Sequence, residues 1–157
     1  MAEITMVEAI REALVEEMER DEAVFCLGED IGAYGGAFKA TEGLQARFGE
    51  LRVIDTPVSE AAIVGAAAGA AHYGMRPVCE MQFIDFMSCA YDMLTNYVAT
   101  ARYRAFLPCP IVVRGPSGGY VRGGPFHSQN PEAAFLHTPG LKIVYPSTAW
   151  DAKGLLK

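Results

Sequence analysis

Five short apolar runs, each followed by a helical pattern or a glycine-rich loop, limit what this chain can fold into more than any other feature. They are AVFCLG (23–28), RVID (52–55), PVCEM (77–81), PIVVRG (110–115) and LKIVYP (141–146). Strands with one face in water alternate between apolar and polar residues, whereas strands covered on both faces do not. Runs that stay apolar therefore predict an α/β fold: a mainly parallel sheet with helices on both faces. Ligands of such sheets bind outside the carboxyl ends of the strands. Glu29, Thr56 to Glu60, Glu80 to Phe86 and Arg114 to Gln129 fall at those ends.

Between the strands the pattern is helical. Thr5 and Glu8 have capping-box spacing, and Val7, Ile10, Leu14 and Met18 share one face, which predicts a helix over 5–20. DIGAYGGAFKATEG is a glycine-rich loop, followed by a helix around Leu44–Phe48. Ser59 is placed to cap a helix over about 60–73 that stops at Gly74. Gly65 to Ala70 leave that helix almost no side-chain bulk, so it can lie close to a sheet or another backbone. A long helix is expected from about Asp85 to Arg104, a short one at Asn130–Pro131, and a last one capped by Ser147.

The 157 residues suit a single domain, and their net charge of −6 comes with scattered basic residues. Nucleic-acid binding is thereby disfavoured. The four cysteines (Cys26, Cys79, Cys89 and Cys109) show no C-x-x-C spacing, which predicts reduced thiols rather than a disulfide frame or a zinc site. The N-terminal segment is acidic and amphipathic, unlike a targeting peptide, and the most apolar stretch (61–71) is too short to span a bilayer. A cytoplasmic, non-membrane protein is expected.

Glu60 admits two readings. A first-turn acid complements a helix dipole for about 0.3–1 kcal/mol and needs no further role. Behind Thr56–Pro57 and beside small residues, it could instead be a desolvated acid facing a flat ligand. His127, in FHSQNPE, is either a solvated loop residue or a group folded over a pocket. Glu29, Asp30 and Glu80 could each be a loop-end charge, while Phe83 and Phe86 could be core or could stack on a planar ligand. His72 and His137 have weaker cases. Neither glycine loop matches a phosphate-binding motif, and no serine or cysteine has a base at triad spacing.

LGEDIGAYGGAFKATEGL, RVIDTPVSEAAIVGAAAGAA, PVCEMQFIDFMSCAYDML, IVVRGPSGGYVRGGPFHSQNPEA and PGLKIVYPSTAWDAKGLL follow one another in order. Together they resemble the β subunit of the thiamine-diphosphate-dependent decarboxylating component of 2-oxo acid dehydrogenase complexes (pyruvate, branched-chain 2-oxo acid and acetoin dehydrogenases). The resemblance implies the pyrimidine-binding, transketolase-like fold over residues 1–157. It places Glu60 at a ring nitrogen of the aminopyrimidine, where a proton on the carboxyl favours the imino tautomer that deprotonates the thiazolium carbon. It also implies stacking by Phe86, lining by Gln82 and the backbone near Val58, and support from Glu29. His127 would reach the substrate or the acyl group being passed to lipoamide. Ile111 matches a potassium-binding carbonyl of some members.

The same resemblance implies an α subunit carrying the diphosphate and Mg²⁺, a second β subunit completing an α2β2 assembly, and a lipoyl acyltransferase core. That core would be engaged through a C-terminal domain that this chain lacks. Since the chain stops at DAKGLLK inside an expected helix, it is expected to be truncated and inactive alone. Transketolase-like or deoxyxylulose-phosphate-synthase-like enzymes share the module, and a catalytically silent scaffold is a further alternative.

Overall fold

The computed structural model describes residues 3–157. Four parallel strands form one sheet in the order β2-β1-β3-β4, with β1 at Val24–Gly28, β2 at Val53–Asp55, β3 at Arg76–Glu80 and β4 at Val112–Arg114. The helices are α1 (Met6–Arg20), α2 (Leu44–Phe48), α3 (Glu60–His72), α4 (Ala101–Ala105) and α5 (Ala149–Leu156).

Strand β1 shows why its residues do not alternate in polarity. Phe25 and Leu27 point into a core with Ile63, Val64 and Ala67 of α3, Cys79, Met81 and Phe135. Val24 and Cys26 point the other way, into a core with Leu14 and Met18 of α1, Ile31, Leu44 and Val53. All five β1 residues are buried, as a strand covered on both faces requires. Each large side chain so enclosed contributes about 1.5–3 kcal/mol.

Helix α1 begins as its spacing predicts. The Thr5 hydroxyl accepts from the Glu8 amide at 3.2 Å, and the Glu8 carboxylate accepts from the Thr5 amide at 2.7 Å. Lys153 of α5 donates to Glu12 and Glu16 of α1 at 2.8 and 2.7 Å, joining the two helices. Helix α3 ends before Gly74, whose φ of +93° supplies the left-handed turn. Ser59 holds the N-cap position of α3, but its side chain makes no capping bond. Of the two α3 glycines, Gly65 faces Met93 closely while Gly69 meets open space, so the small-residue face is only partly packed.

Three sequence expectations are corrected. LKIVYP forms no strand: β4 has three residues and pairs with β3 alone, while Ile143, Val144 and Tyr145 are exposed. Side chains hold this segment instead of a ladder, with the Tyr145 hydroxyl 2.6 Å from Ser117 Oγ and donating to Asn130 at 3.1 Å. The helix expected over 85–104 is broken into a 3-10 segment (Ile84–Ala90), a π segment (Met93–Val98) and α4. The Thr95 and Thr100 hydroxyls donate back to the carbonyls of Tyr91 and Asn96 at 2.8 and 2.6 Å, a pattern that bends helices. Finally, α5 is capped by Thr148, which accepts from the Asp151 amide at 3.1 Å, rather than by Ser147.

Cys26 and Cys79 are buried free thiols, pushed up to about 12 by desolvation, whereas Cys109 is half-buried and Cys89 exposed. No helix among the described residues is long and apolar enough to cross a membrane.

Gly28 is where the sheet leaves least room. A Cβ there would stand 2.6 Å from the Glu80 carbonyl oxygen and 3.2 Å from Ile31 Cγ2. Gly28→Ala should cost about 1–3 kcal/mol in urea unfolding, with the denaturant slope unchanged. An unchanged midpoint would show that the two strand ends are not in close contact.

Candidate functional site

The strand register brings four carboxyl ends level. Gly28 pairs with Asp55 on one side and Glu80 on the other, and Glu80 pairs with Arg114. The Thr56 amide donates to the Gly28 carbonyl and the Met81 amide to the Arg114 carbonyl, each at 2.9 Å, which carries the alignment one residue further. Glu29, Thr56, Met81 and Gly115 therefore leave the sheet side by side.

Glu29 is 5% exposed and its Oε1 has no hydrogen-bond partner. Glu60, the first residue of α3, is 9% exposed. Burial pushes the Glu29 carboxyl above its ordinary range, the neighbouring Glu60 carboxylate pushes it further, and the Ser59 backbone amide opposes both. Two buried acids distant in sequence thus lie at the carboxyl end of the sheet, with the Thr56 hydroxyl also buried and unpartnered there. Polar atoms this enclosed are normally satisfied, so this set is suited to an incoming polar ligand. A planar ring with a protonatable nitrogen and an exocyclic amine would supply the missing partners.

A second group, at the end of β3 and in the second glycine-rich loop, is aromatic. His127 stacks on Phe83 with ring centroids 4.2 Å apart and an 18° interplanar angle. Phe86 meets His127 edge-on at 5.4 Å and Phe126 at 5.9 Å, while Phe38 meets Phe83 edge-on at 5.4 Å. His127 itself is half-buried in a largely exposed loop, and its Nδ1 is buried without a partner. Gln82 donates to the Asp30 carboxylate at 2.8 Å, tying the first glycine loop to the end of β3. The Val58 side chain is 81% exposed. Ile111 stands apart, immediately before β4 and so at the opposite, amino-terminal end of the sheet.

Glu80 has a structural task. Its carboxylate pairs with the Arg114 guanidinium, with 5% and 14% of the two side chains exposed. Gly36, at φ +82°, lies so close above Glu80 that a Cβ would stand 2.8 Å from Oε1. Breaking one partner of such a buried pair is far more costly than losing a surface pair. Neither this pair nor the roles of Phe38, Phe126 and Asp85 were evident from the sequence. The strand-end positions of Glu80 and Arg114 were the available signal, but their pairing needs the strand order.

The acid pair makes a pH-dependent prediction. A carboxyl with a raised folded pKa holds its proton more tightly when folded, so its contribution is intact below its unfolded value and is lost as pH rises through the folded value. Glu29→Gln should therefore raise the urea midpoint at pH 7, and the gain should vanish below about pH 4. A midpoint lowered equally at both pH values would contradict the burial of a reluctant charge.

Comparison with known proteins gives the family. The family model described as transketolase, pyrimidine binding domain, matches residues 2–157. The chain is 56% identical to the 2-oxoisovalerate dehydrogenase subunit beta of Bacillus subtilis, over 100% of this chain and 49% of that protein. It is 48% identical to the Pseudomonas aeruginosa protein of the same name, over 98% of this chain and 44% of that one. The pyruvate dehydrogenase E1 component subunit beta of Staphylococcus epidermidis is also 48% identical, over 99% and 49%. The chain thus spans about half the length of the curated relatives it matches. A solved split-gene transketolase, described as an inactive beta4 tetramer, superposes with a TM-score of 0.76 at 18% identity, covering 99% of this chain and 47% of that one. With a parallel sheet, an acid pair at its carboxyl end and a family match along almost its whole length, the chain belongs to the transketolase pyrimidine-binding domain family.

Proposed function

We propose that this chain is the pyrimidine-binding part of the β subunit of a 2-oxo acid dehydrogenase decarboxylating component. The observation that carries the reading is the buried pair Glu29 and Glu60, with an unpartnered Oε1 at the carboxyl end of the sheet. Relatives named as β subunits of 2-oxoisovalerate and pyruvate dehydrogenases, 46–56% identical, support the substrate class. Which 2-oxo acid is used is a matter for a substrate panel, because both kinds of relative match along the whole chain.

Thiamine diphosphate, when bound, would supply a nucleophilic carbon and an electron sink for decarboxylation of a 2-oxo acid. The chain's own residues prepare the site. Glu60 holds a proton at a pyrimidine ring nitrogen, and the buried Glu29 carboxyl, with its unpartnered Oε1, supports it from the neighbouring strand end. Phe86 presents a ring for stacking on the pyrimidine, Gln82 and the backbone at Val58 bound its edge, and His127 faces the reacting end. Mg²⁺ and the diphosphate are assigned to a partner α subunit, and a potassium ion to the Ile111 carbonyl. Assembly as α2β2 with a second β subunit, docking on a lipoyl acyltransferase core through a further C-terminal domain, and a cytoplasmic location complete the proposal.

A transketolase-type sugar reaction is the competing reading, and relatives named as 2-oxoisovalerate and pyruvate dehydrogenase subunits favour the 2-oxo acid. Glu60→Gln in the full-length protein with its partner should assemble normally and lose about 10²–10⁴-fold in 2-oxo acid decarboxylation. Wild-type turnover in that variant would overturn the role of Glu60. Turnover of sugar phosphates but not 2-oxo acids by the unaltered protein would overturn the substrate class.

A further inference from the structure

We propose that Asp85 is a positioning residue that anchors the His127 loop, a role that rests on the reading of His127 as an active-site group. Asp85 lies in the 3-10 segment Ile84–Ala90 and is 6% exposed. Its Oδ1 accepts the Gln129 backbone amide at 3.0 Å across 44 residues of sequence. The Gln129 carbonyl in turn accepts the Gly118 amide at 3.2 Å. Gln129 is therefore clasped through both backbone polar groups, one by a buried carboxylate and one by the opposite arm of its own loop.

The same few residues that carry Asp85 also hold His127. Phe83 stacks on its ring at 4.2 Å, and Phe86 meets it edge-on at 5.4 Å. The platform is itself fixed to the base of the loop, since the Ile84 amide donates to the Pro116 carbonyl at 2.9 Å. Gly115 leaves little room for a side chain there: a Cβ would meet Ile84 Cδ1, Ile84 N and Met81 O at 3.1 Å each. Ring contacts set the plane of the imidazole but resist sliding weakly. A hydrogen bond two residues further along the chain is directional, and it fixes how far the loop reaches across the platform. A charged acceptor makes that bond stronger than a neutral one.

This arrangement separates the acceptor from the charge. Asparagine retains an oxygen for the Gln129 amide, whereas alanine leaves that amide without its partner. Asp85 has a second, buried oxygen, Oδ2, without a partner, so an amide nitrogen there displaces no existing bond.

Hydrogen exchange of the Gln129 amide, read by mass spectrometry in the full-length protein, tests the anchor without reference to activity. In the unaltered protein the amide should exchange about ten- to a hundredfold more slowly than in an unstructured peptide, although the Gln129 side chain is exposed. Asp85→Asn should keep most of that protection and Asp85→Ala should abolish it. In the assembled enzyme, Asp85→Ala should lower kcat for decarboxylation about tenfold or more with little change in cofactor affinity, and Asp85→Asn should restore most of it. An unprotected Gln129 amide in the unaltered protein overturns the anchor even if the alanine variant fails to fold, as does wild-type protection in a folded Asp85→Ala. Protection that follows this pattern while His127→Ala leaves turnover unchanged upholds the anchor and overturns the role given to His127.

Discussion

Everything at the candidate site follows from the register of β1 between its neighbours. Gly28 lies level with Asp55 and Glu80, and a Cβ at Gly28 would collide with the Glu80 carbonyl. The strands therefore end together, and whatever follows each one emerges onto a common ledge. Glu29 leaves β1 there, Thr56 leaves β2 and leads within four residues to Glu60. Shifting one strand by a residue would send every following side chain to the opposite face and separate the acids.

Burying the Glu29 carboxyl works against stability, since burial first and the Glu60 charge second both raise its pKa. Folds retain such arrangements where a ligand uses them. The supporting structure is built with different chemistry. Glu80 and Arg114 neutralise each other beneath the glycine loop, and the cores on both sheet faces are apolar. Charge is compensated within the Glu80–Arg114 pair and left uncompensated at Glu29, whose Oε1 has no partner.

Much of this was legible in the residues. Unbroken apolar runs gave away a strand covered on both faces, because Phe25 and Leu27 enter one core while Val24 and Cys26 enter the other. Thr5 and Glu8 marked the start of α1 because their capping bonds are local. The misses have physical causes. LKIVYP looks like a core strand, but whether a run pairs depends on a neighbour, and β4 presents only a short edge. The region after Asp85 reads as one helix, yet its threonine hydroxyls compete for backbone carbonyls and bend it. Glu29, Glu60, Phe86 and His127 were picked out individually. The Glu80–Arg114 pair and the Asp85–Gln129 bond were not, since they join segments 34 and 44 residues apart and arise only when the chain folds.

The central claim is that the acid ledge receives a pyrimidine ring. A crystal structure of the full-length protein with its partner and thiamine diphosphate tests it most directly. The account predicts a pyrimidine nitrogen within hydrogen-bond distance of the Glu60 carboxyl, with the Phe86 ring against the pyrimidine face. A pyrimidine bound elsewhere, with Glu60 facing only water or protein, would contradict it.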